Sequence, residues 1–401
     1  MKFFHLSDLH IGLKLINRDL REDQEYVLDQ IVRAAGEVSP DAVVVAGDIY
    51  DKAIPSVESV ELFDRFVSKL AGAVPTAEIM MISGNHDSGP RVNLFRSVLQ
   101  RRGIHMVGLP PRTPEDFIEK VVLWDEFGPV NFYLLPFVKP SMVRLVLDAG
   151  ADASGGGDEA ADATPRGLSY DEALHRLIDR ETIDPEQRNV LVSHQFYLPS
   201  GAVPSGVERM DSEVRTVGDI DGVRSDVLER FDYAALGHMH KPMEVGNERC
   251  RYCGTPLACS VSEAGQQKGI IVVELGEKGS VKTSVLPLTP LREVRVITGA
   301  FSEVLGQGCE DYVTVVLTDK EDLDVLDMQD RLRACFPNLL EIRRELPQRA
   351  GDRAGRGAAE AEMSPFELCG SFLKEQWGGR ELDEEERSLL QDVINSVQEA
   401  H

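Results

Sequence analysis

The sequence lacks an excess of positive charge. Lysine and arginine together number 43 against 68 aspartate and glutamate residues, which gives a formal net charge of −25. A protein that binds nucleic acid tightly by itself normally presents a basic face, so this balance argues against tight autonomous binding to DNA. It does not exclude an enzyme whose bound metal ions offset the local charge, or one whose partner supplies the grip on DNA.

Long apolar runs are also missing. No stretch approaches the roughly 18 apolar residues of a membrane span, and the N-terminal apolar run is broken by His5, Ser7 and Asp8. We therefore expect a cytoplasmic protein with no membrane partner. Six cysteines fit that compartment. Cys250 and Cys253 are spaced C-x-x-C, but no second pair follows at zinc-ribbon distance, so reduced cysteines beside a strand are the preferred interpretation.

What the sequence does contain is a repeated pattern of short apolar runs that end in polar residues. The run 42–46 is apolar and β-branched, which is typical of a strand buried on both faces of a sheet. Asp48 follows it closely, at the end of the strand where ligands bind in open α/β sheets. Four further runs end in Asp, Asn or His in the same way, at 2–6, 78–82, 189–192 and 233–236.

The polar residues at these strand ends can converge on one edge of the fold. They are Asp8, His10, Asp48, Asn85, His86, His194, His238 and His240. Carboxylate, amide and imidazole groups in this mixture suit a divalent transition metal such as manganese, iron or zinc. The set is too large for one ion, so we infer two, with the Asp48 carboxylate bridging them. Such a pair suits hydrolysis of a phosphate ester, because it holds both the attacking and the phosphoryl oxygens.

The motifs occur in an order that resembles a known family. In sequence they are Asp8-x-His10, Gly47-Asp48-x-x-Asp51, Gly84-Asn85-His86-Asp87, a lone His194 and Gly237-His238-x-His240. This order resembles the signature of the calcineurin-like metallophosphoesterase superfamily. The flanking segments HLSDLHIG, GDIYDKAIPS, SGNHDSGPR and ALGHMHKP are similar to the SbcD family of bacterial nuclease subunits, which act with the ATPase SbcC. The resemblance runs from Met1 to about Glu274 and resumes at the C-terminus.

The resemblance implies a role for each motif residue. One ion would be held by Asp8, His10 and His240, the other by Asn85, His194 and His238, with Asp48 between them. His86 would donate a proton or a hydrogen bond near the phosphate, and the Asp51 carboxylate would orient its imidazole. Arg91 is a candidate substrate-binding residue, although a solvated or helix-capping arginine is an equal alternative. The cofactors would be two divalent ions, with Mn²⁺ the expected metal.

The resemblance also implies a fold and an order of domains. We expect an α/β protein with a two-layer β-sandwich flanked by helices, a small α/β capping domain and a C-terminal helical tail. The nuclease domain is predicted at 1–288, interrupted at 148–167 by a segment without large apolar residues, which is expected to be disordered. A β-α-β-α-β pattern lies within the predicted capping domain at 289–346, and a linker follows at 347–363.

The last segment, 364–401, carries two amphipathic patterns. The sequence Ser364-Pro365-Phe366-Glu367 is a capping box with proline at the first helical position, and Gly378-Gly379 ends that helix. Short helices beyond a linker are suited to docking in a partner's groove; folding back onto the chain is the alternative. By resemblance the partner is an SbcC-type, SMC-like ATPase. This chain has no Walker A motif, so any ATP dependence would come from that partner.

The leading hypothesis is a Mn²⁺-dependent DNA nuclease subunit. The resemblance implies 3′→5′ exonuclease activity on duplexes and endonuclease activity on single strands and hairpins, in the repair of breaks and palindromes. It also implies a homodimer within a heterotetramer, associated with the nucleoid. Two alternatives stay open: another dinuclear phosphodiesterase, for instance one acting on cyclic nucleotides, and a non-catalytic scaffold that tethers an ATPase to DNA.

Overall fold

The structure is a computed structural model of the chain. It describes residues 1–148, 168–199, 210–211, 213, 221–319, 325–344 and 386–387. The predicted insertion at 148–167, apart from its first residue, and the predicted linker at 347–363 lie outside these ranges, as does nearly all of the tail at 364–401. The chain divides into two compact units, Met1–Arg344 and Glu345–His401, and only the first is described in substance.

The strands and helices of the described ranges alternate along most of the chain. The strands are β1 (Lys2–Leu6), β2 (Lys14–Leu15), β3 (Arg18–Asp19), β4 (Ala42–Ala46), β5 (Glu78–Ile82), β6 (Ile104–Val107), β7 (Glu119–Asp125), β8 (Gly128–Leu135), β9 (Arg188–His194), β10 (Phe196–Leu198), β11 (Gly222–Arg224), β12 (Tyr233–Gly237), β13 (Met243–Val245), β14 (Asn247–Tyr252), β15 (Gly269–Leu275), β16 (Val281–Pro287), β17 (Val294–Gly299), β18 (Tyr312–Leu317) and β19 (Leu339–Arg344). The helices are α1 (Arg21–Val38), α2 (Val57–Ala73), α3 (Gly89–Val92), α4 (Arg96–Leu99), α5 (Pro140–Asp148), α6 (Tyr170–Asp179), α7 (Phe301–Val304) and α8 (Val325–Cys335).

The first large sheet has the spatial order β16-β15-β1-β4-β5-β6. Strands β1, β4, β5 and β6 run parallel, as expected for strands joined by crossover helices, and β15 and β16 extend the sheet in antiparallel fashion. Helices α1 and α2 bury an apolar stripe on its outer face, with Ile31 and Phe66 among the residues fully removed from solvent. The Ser56 hydroxyl caps α2 by accepting a hydrogen bond from the Ser59 N–H.

The second large sheet has the order β13-β14-β12-β9-β8-β7 and packs on the first. Phe3 of the first sheet meets Phe132 and Tyr233 of the second in edge-to-face contacts, with ring centroids 5.3 and 5.7 Å apart. The opposite face of the second sheet is covered by α5 and α6, and a capping box between Ser169 and Glu172 begins α6. The predicted two-layer sandwich flanked by helices is therefore confirmed.

A smaller three-stranded sheet follows. Its strands β17, β18 and β19 are parallel, and α7 and α8 complete a core that includes Val313, Leu332 and Phe336. This is the β-α-β-α-β order expected within 289–346, and we call residues 294–344 the C-terminal module. Among the described residues, no helix has both the length and the apolar character needed to cross a membrane.

The core between the two large sheets contains a histidine. His5 of β1 is fully buried, its Nδ1 accepts a hydrogen bond from the Tyr233 hydroxyl at 3.0 Å, and its Nε2–H donates to the Leu236 carbonyl at 3.2 Å. Burial lowers the pKa of His5 to about 3, so the ring is neutral at physiological pH. His5 is thus a hydrogen-bonded core residue that ties the two sheets together.

A Tyr233→Phe substitution should destabilise the fold by leaving the His5 Nδ1 buried without a donor. We expect a loss of about 1–3 kcal/mol in the free energy of unfolding, measured by urea denaturation. Tyr133→Phe is the matched control, because the Tyr133 ring is also buried but its hydroxyl makes no hydrogen bond to the described residues. Equal losses in the two variants would contradict the assigned bond between His5 and Tyr233.

Candidate metal centre

The predicted ligands meet at one edge of the sandwich. They lie at or just beyond the carboxyl ends of β1, β4 and β5, which are parallel in the first sheet, and of β9 and β12, which are parallel in the second. Asp8, His10, Asp48, His194 and His240 are at most 2 % exposed. Sequence reasoning expected this convergence, because each apolar run ended in a metal-binding type of residue.

One group of donors surrounds His10. The Nε2 atoms of His10 and His240 lie 3.1 Å apart, and the Asp48 Oδ2 is 3.7 Å from the His10 Nε2. Asp8, His10 and His240 each offer one potential ligand atom, and these three atoms lie within 4.8 Å of one another. These are the three side chains expected to hold one ion.

A second group of donors surrounds Asn85. Its Oδ1 lies 2.9 Å from the His194 Nε2 and 3.0 Å from the His238 Nδ1. The Asp48 Oδ2 is 3.3 Å from the same His194 nitrogen. The Asp48 carboxylate therefore stands between the two groups, where a bridging ligand has to be.

The chemistry of these donors fits divalent cations. The Nε2 atoms of His10 and His240 face each other at 3.1 Å beside buried carboxylates, a donor set that suits a cation. The His10 Nδ1 is buried without a hydrogen-bond partner among the described residues, which is costly in a protein interior. Burial raises the pKa of Asp8. Burial by itself lowers the pKa of His194. The neighbouring Asp48 carboxylate outweighs burial and raises the pKa of His194 to about 9. A proton on His194 thus takes the place that a metal ion would fill.

The backbone at the site is held in unusual conformations. Asp8, His10, Asp48 and His238 have positive φ angles of 52°, 43°, 48° and 106°. Such conformations are strained for residues with a side chain and cluster at functional sites, where the surrounding structure enforces them. Gly47, with φ of 90°, has to be glycine, because a Cβ there would lie 2.3 Å from the His194 Nδ1.

The structure corrects one predicted contact. His86 is half-buried, and its Nδ1–H donates to the main-chain carbonyl of Asp51 at 2.9 Å. The expected orienting group was the Asp51 carboxylate, but this carboxylate lies instead 4.0 Å from the His10 Nδ1. The turn after β4 directs the Asp51 carbonyl, and not its carboxylate, at the His86 ring. The pattern of side chains in the sequence does not show this backbone orientation. One nitrogen of His86 also lies within 4.8 Å of potential ligand atoms of His10 and Asp48.

Asp87 is a positioning residue that the sequence reasoning left without a role. Its Oδ2 accepts hydrogen bonds from the Ile49 N–H at 3.0 Å and the Gly84 N–H at 2.9 Å, and its Oδ1 accepts from the Tyr50 N–H at 2.9 Å. It thereby fastens the loop of Asp48 to the loop of Asn85. In the sequence, this supporting role was indicated by the position of Asp87 at the end of the third motif.

A buried polar network supports His240. The Glu263 carboxylate lies 3.5 Å from the His240 Nδ1, and the Lys268 ammonium lies 2.6 Å from Glu263 and donates to the His240 carbonyl at 3.1 Å. Burial opposes a charge on His240, but Glu263 and Asp8 together raise its pKa. These supporting groups lie outside the motifs, so no sequence pattern marked them.

Arg91 is exposed on α3, and its guanidinium makes no hydrogen bond or ion pair with the described residues. This position suits an arginine that is simply solvated, and it equally suits an arginine that contacts a substrate once the substrate is bound. Its predicted contact with substrate remains a prediction.

Two family models match this chain. Residues 1–242 match the calcineurin-like phosphoesterase model, and residues 290–376 match the SbcD_C model, described as the type 5 capsule protein repressor C-terminal domain. The first match covers more than half of the sequence, so the chain belongs to the calcineurin-like phosphoesterase family and is a metal-dependent hydrolase. The two matches together support an SbcD-type nuclease subunit.

Solved structures similar to this chain include the following three. GAP50, the anchor in the inner membrane complex of Plasmodium, is 11% identical with a TM-score of 0.42, covering 87% of this chain and 98% of its own. TT1561 of Thermus thermophilus is 10% identical with a TM-score of 0.36, covering 71% and 98%. A dimetal phosphatase from Danio rerio is 13% identical with a TM-score of 0.38, covering 72% and 99%.

Proposed function

We propose that this protein is the DNA nuclease subunit of an SbcD-type complex and works with two Mn²⁺ ions. The observation that carries the proposal is the convergence of two donor groups on one carboxylate, in a chain that also matches the SbcD_C domain. Its substrates would be duplex ends, single strands and hairpins, and its pathway the repair of DNA breaks and palindromes. The matched C-terminal domain favours this substrate class over cyclic nucleotides.

The mechanism assigns separate tasks to the residues of the site. When bound, the two ions would polarise the phosphodiester and make the attacking water more acidic. Asp48 would fix the spacing between the donor groups of His10 and His194. His86 would act in its imidazolium form: its Nδ1–H donates to the Asp51 carbonyl, and its Nε2–H would give its proton to the leaving oxygen, which leaves the ring neutral. Asp87 holds the loop of Asp48 and the loop of Asn85 together by accepting hydrogen bonds from the main-chain N–H groups of Ile49 and Gly84.

The proposed partner is an SbcC-type ATPase that contacts segment 364–401. The match to the SbcD_C model supports this, since it extends to residue 376. The acidic balance of the chain gives a physical reason for such a partner, because the net charge of −25 disfavours unaided binding to DNA phosphates. The partner would supply both the ATP dependence and much of the affinity for DNA.

The test of the proposed function is a comparison of substrates. Full-length protein with Mn²⁺ is incubated with a 3′-labelled linear duplex and a hairpin, with and without an SbcC-type ATPase. Parallel reactions contain bis-p-nitrophenyl phosphate and cyclic nucleotides. We expect cleavage of both DNA substrates, enhanced by the ATPase. Cleavage of the small diesters with DNA left intact would point to a phosphodiesterase, and no cleavage of any substrate would point to a scaffold.

A homodimer is also part of the proposal. Large apolar side chains are exposed around α3 and α4: Leu94 is 57 %, Phe95 75 % and Val98 62 % exposed. Exposed apolar patches on a globular domain are typical of protein interfaces. We therefore assign this surface to contact between two copies of the chain.

A Phe95→Glu substitution should convert the dimer to a monomer, because it places a charge within that apolar surface. The measurement is molar mass by light scattering during gel filtration. Trp124→Glu is the matched control, since Trp124 of β7 is 73 % exposed and lies on the second sheet. A dimer that persists in Phe95→Glu would move the interface elsewhere.

A further inference from the structure

The loop that carries His10 is fastened to helix α1. The side chain of Gln24, only 5 % exposed, donates from Nε2 to the His10 carbonyl at 2.7 Å and accepts at Oε1 from the Gly12 N–H at 3.0 Å. His10 and Gly12 both have positive φ angles, 43° and 93°. A left-handed backbone persists at a side-chain-bearing residue only where its surroundings enforce it. Gln24, together with the Asp48 carbonyl that accepts from the His10 N–H at 3.0 Å, therefore holds the direction in which the His10 imidazole points.

The residue before Gln24 is fastened to the C-terminal module. Asp23 is fully buried, and its Oδ2 accepts hydrogen bonds from the Arg292 guanidinium at 2.8 Å and the Tyr312 hydroxyl at 2.7 Å. Arg292 precedes the module, and Tyr312 begins β18 and packs into the core beneath the first sheet. A buried carboxylate of this kind depends on its partners, so Asp23 follows them if they move.

The donors around Asn85 have a different support. The His194 Nδ1–H donates to the Ala46 carbonyl at 2.7 Å, inside the sandwich. The Asn85 loop is fastened by Asp87, through the Gly84 N–H. Both contacts lie among the large sheets, and neither involves α1 or the C-terminal module.

We propose that the consecutive residues Asp23 and Gln24 couple the docking of the C-terminal module to the position of His10. Gln24 and Arg292 are then positioning residues for one of the two metal ions, and the other ion is independent of them. The coupling is direct because consecutive residues of an α-helix move as one rigid unit. This inference rests on the proposed two-ion site.

The first test is a titration of full-length protein with Mn²⁺, followed by loss of the paramagnetic resonance signal of the free ion. Gln24→Ala should weaken one of the two bound ions by about 10-fold and leave the other unchanged, as expected for loss of a group that orients a ligand. Arg292→Met should weaken the same ion by about 5-fold, acting through Asp23. Arg295→Met is the matched control, because this arginine pairs with Glu293 and Asp311 instead of Asp23.

The second test is the Gln24→Ala/Arg292→Met double variant. Because both residues act along one path, the double variant should bind the weakened ion no more weakly than Gln24→Ala alone. Thermal unfolding without metal checks that each variant is folded. If Arg292→Met proves unfolded, Tyr312→Phe replaces it, removes one hydrogen bond to Asp23 and should give a smaller loss at the same ion.

Three results would overturn the coupling: an Arg292→Met or Tyr312→Phe variant that is folded and binds both ions as the wild type does, losses that add in the double variant, or equal weakening of both ions. A wild type that binds only one ion would overturn the two-ion site itself. That outcome is recognised in the wild-type titration before any variant is compared, so the two failures are distinct.

Discussion

Asp48→Asn is expected to lower the rate of phosphodiester hydrolysis by at least about 10³-fold, which corresponds to about 4 kcal/mol of lost transition-state stabilisation. The Asp48 Oδ2 lies 3.7 Å from the His10 Nε2 and 3.3 Å from the His194 Nε2, between the two donor groups. The Asp48 Oδ1 accepts a hydrogen bond from the main-chain N–H of His86 at 2.8 Å. An amide keeps the shape of the side chain but has no negative charge to share between two cations.

The measurement is the initial rate with bis-p-nitrophenyl phosphate and Mn²⁺, together with the number of ions bound by equilibrium dialysis. We expect the stoichiometry to fall as well, because Asp48 contributes to both groups. Asp64→Asn makes the same chemical change on the exposed face of α2 and should leave both quantities unchanged. An Asp48→Asn protein that kept a tenth of the activity would show that Asp48 is not a bridging ligand.

The site could be anticipated from the sequence because the pattern that builds it is local. An apolar run such as 42–46 or 78–82 becomes a strand of the same bounds, and the polar residue after it has to emerge at the strand's carboxyl end. Convergence then follows from parallel strands with short connections. The order of the residues does not show that β9 and β12 belong to the second sheet, so the meeting of their donors with those of the first sheet depends on how the two sheets pack.

The arrangement of the sheets was less accessible. β15 pairs antiparallel with β1, so Phe3 lies beside Val273, although most of the described chain separates them. Both strands are apolar on both faces, and the sequence of such a strand does not identify the strand with which it pairs. The structure joins β15 and β16 to the first sheet, although their sequences do not show which sheet they extend.

The supporting contacts of the site escaped prediction for a related reason. Asp51 orients His86 by its carbonyl, which every residue possesses, and Gln24 holds His10 by main-chain hydrogen bonds. Glu263 and Lys268 act from outside any motif. Side-chain identity therefore located the groups that would touch the metal ions, while the groups that hold them depend on tertiary contacts that only the folded chain displays.

His86→Gln is the second substitution with a large expected effect. The turnover number on DNA should fall by about 10³-fold, as expected when a general acid is lost, while both metal ions remain bound. Glutamine can still donate a hydrogen bond but cannot transfer a proton. The measurements are turnover and KM for duplex cleavage, with metal stoichiometry alongside. His105→Gln is the control: this buried histidine of β6 contacts Glu78 at 2.7 Å, outside the site, so turnover should be unchanged.

The dependence of that loss on the leaving group separates two roles for His86. If its Nε2 protonates the departing oxygen, a DNA alkoxide needs the proton and p-nitrophenolate, a good leaving group, scarcely needs it. The loss in His86→Gln should then be much smaller with bis-p-nitrophenyl phosphate than with DNA. Equal losses with both substrates would instead assign His86 to stabilising charge on the phosphoryl oxygens. A lower metal stoichiometry in the same variant would make His86 a ligand and contradict both roles.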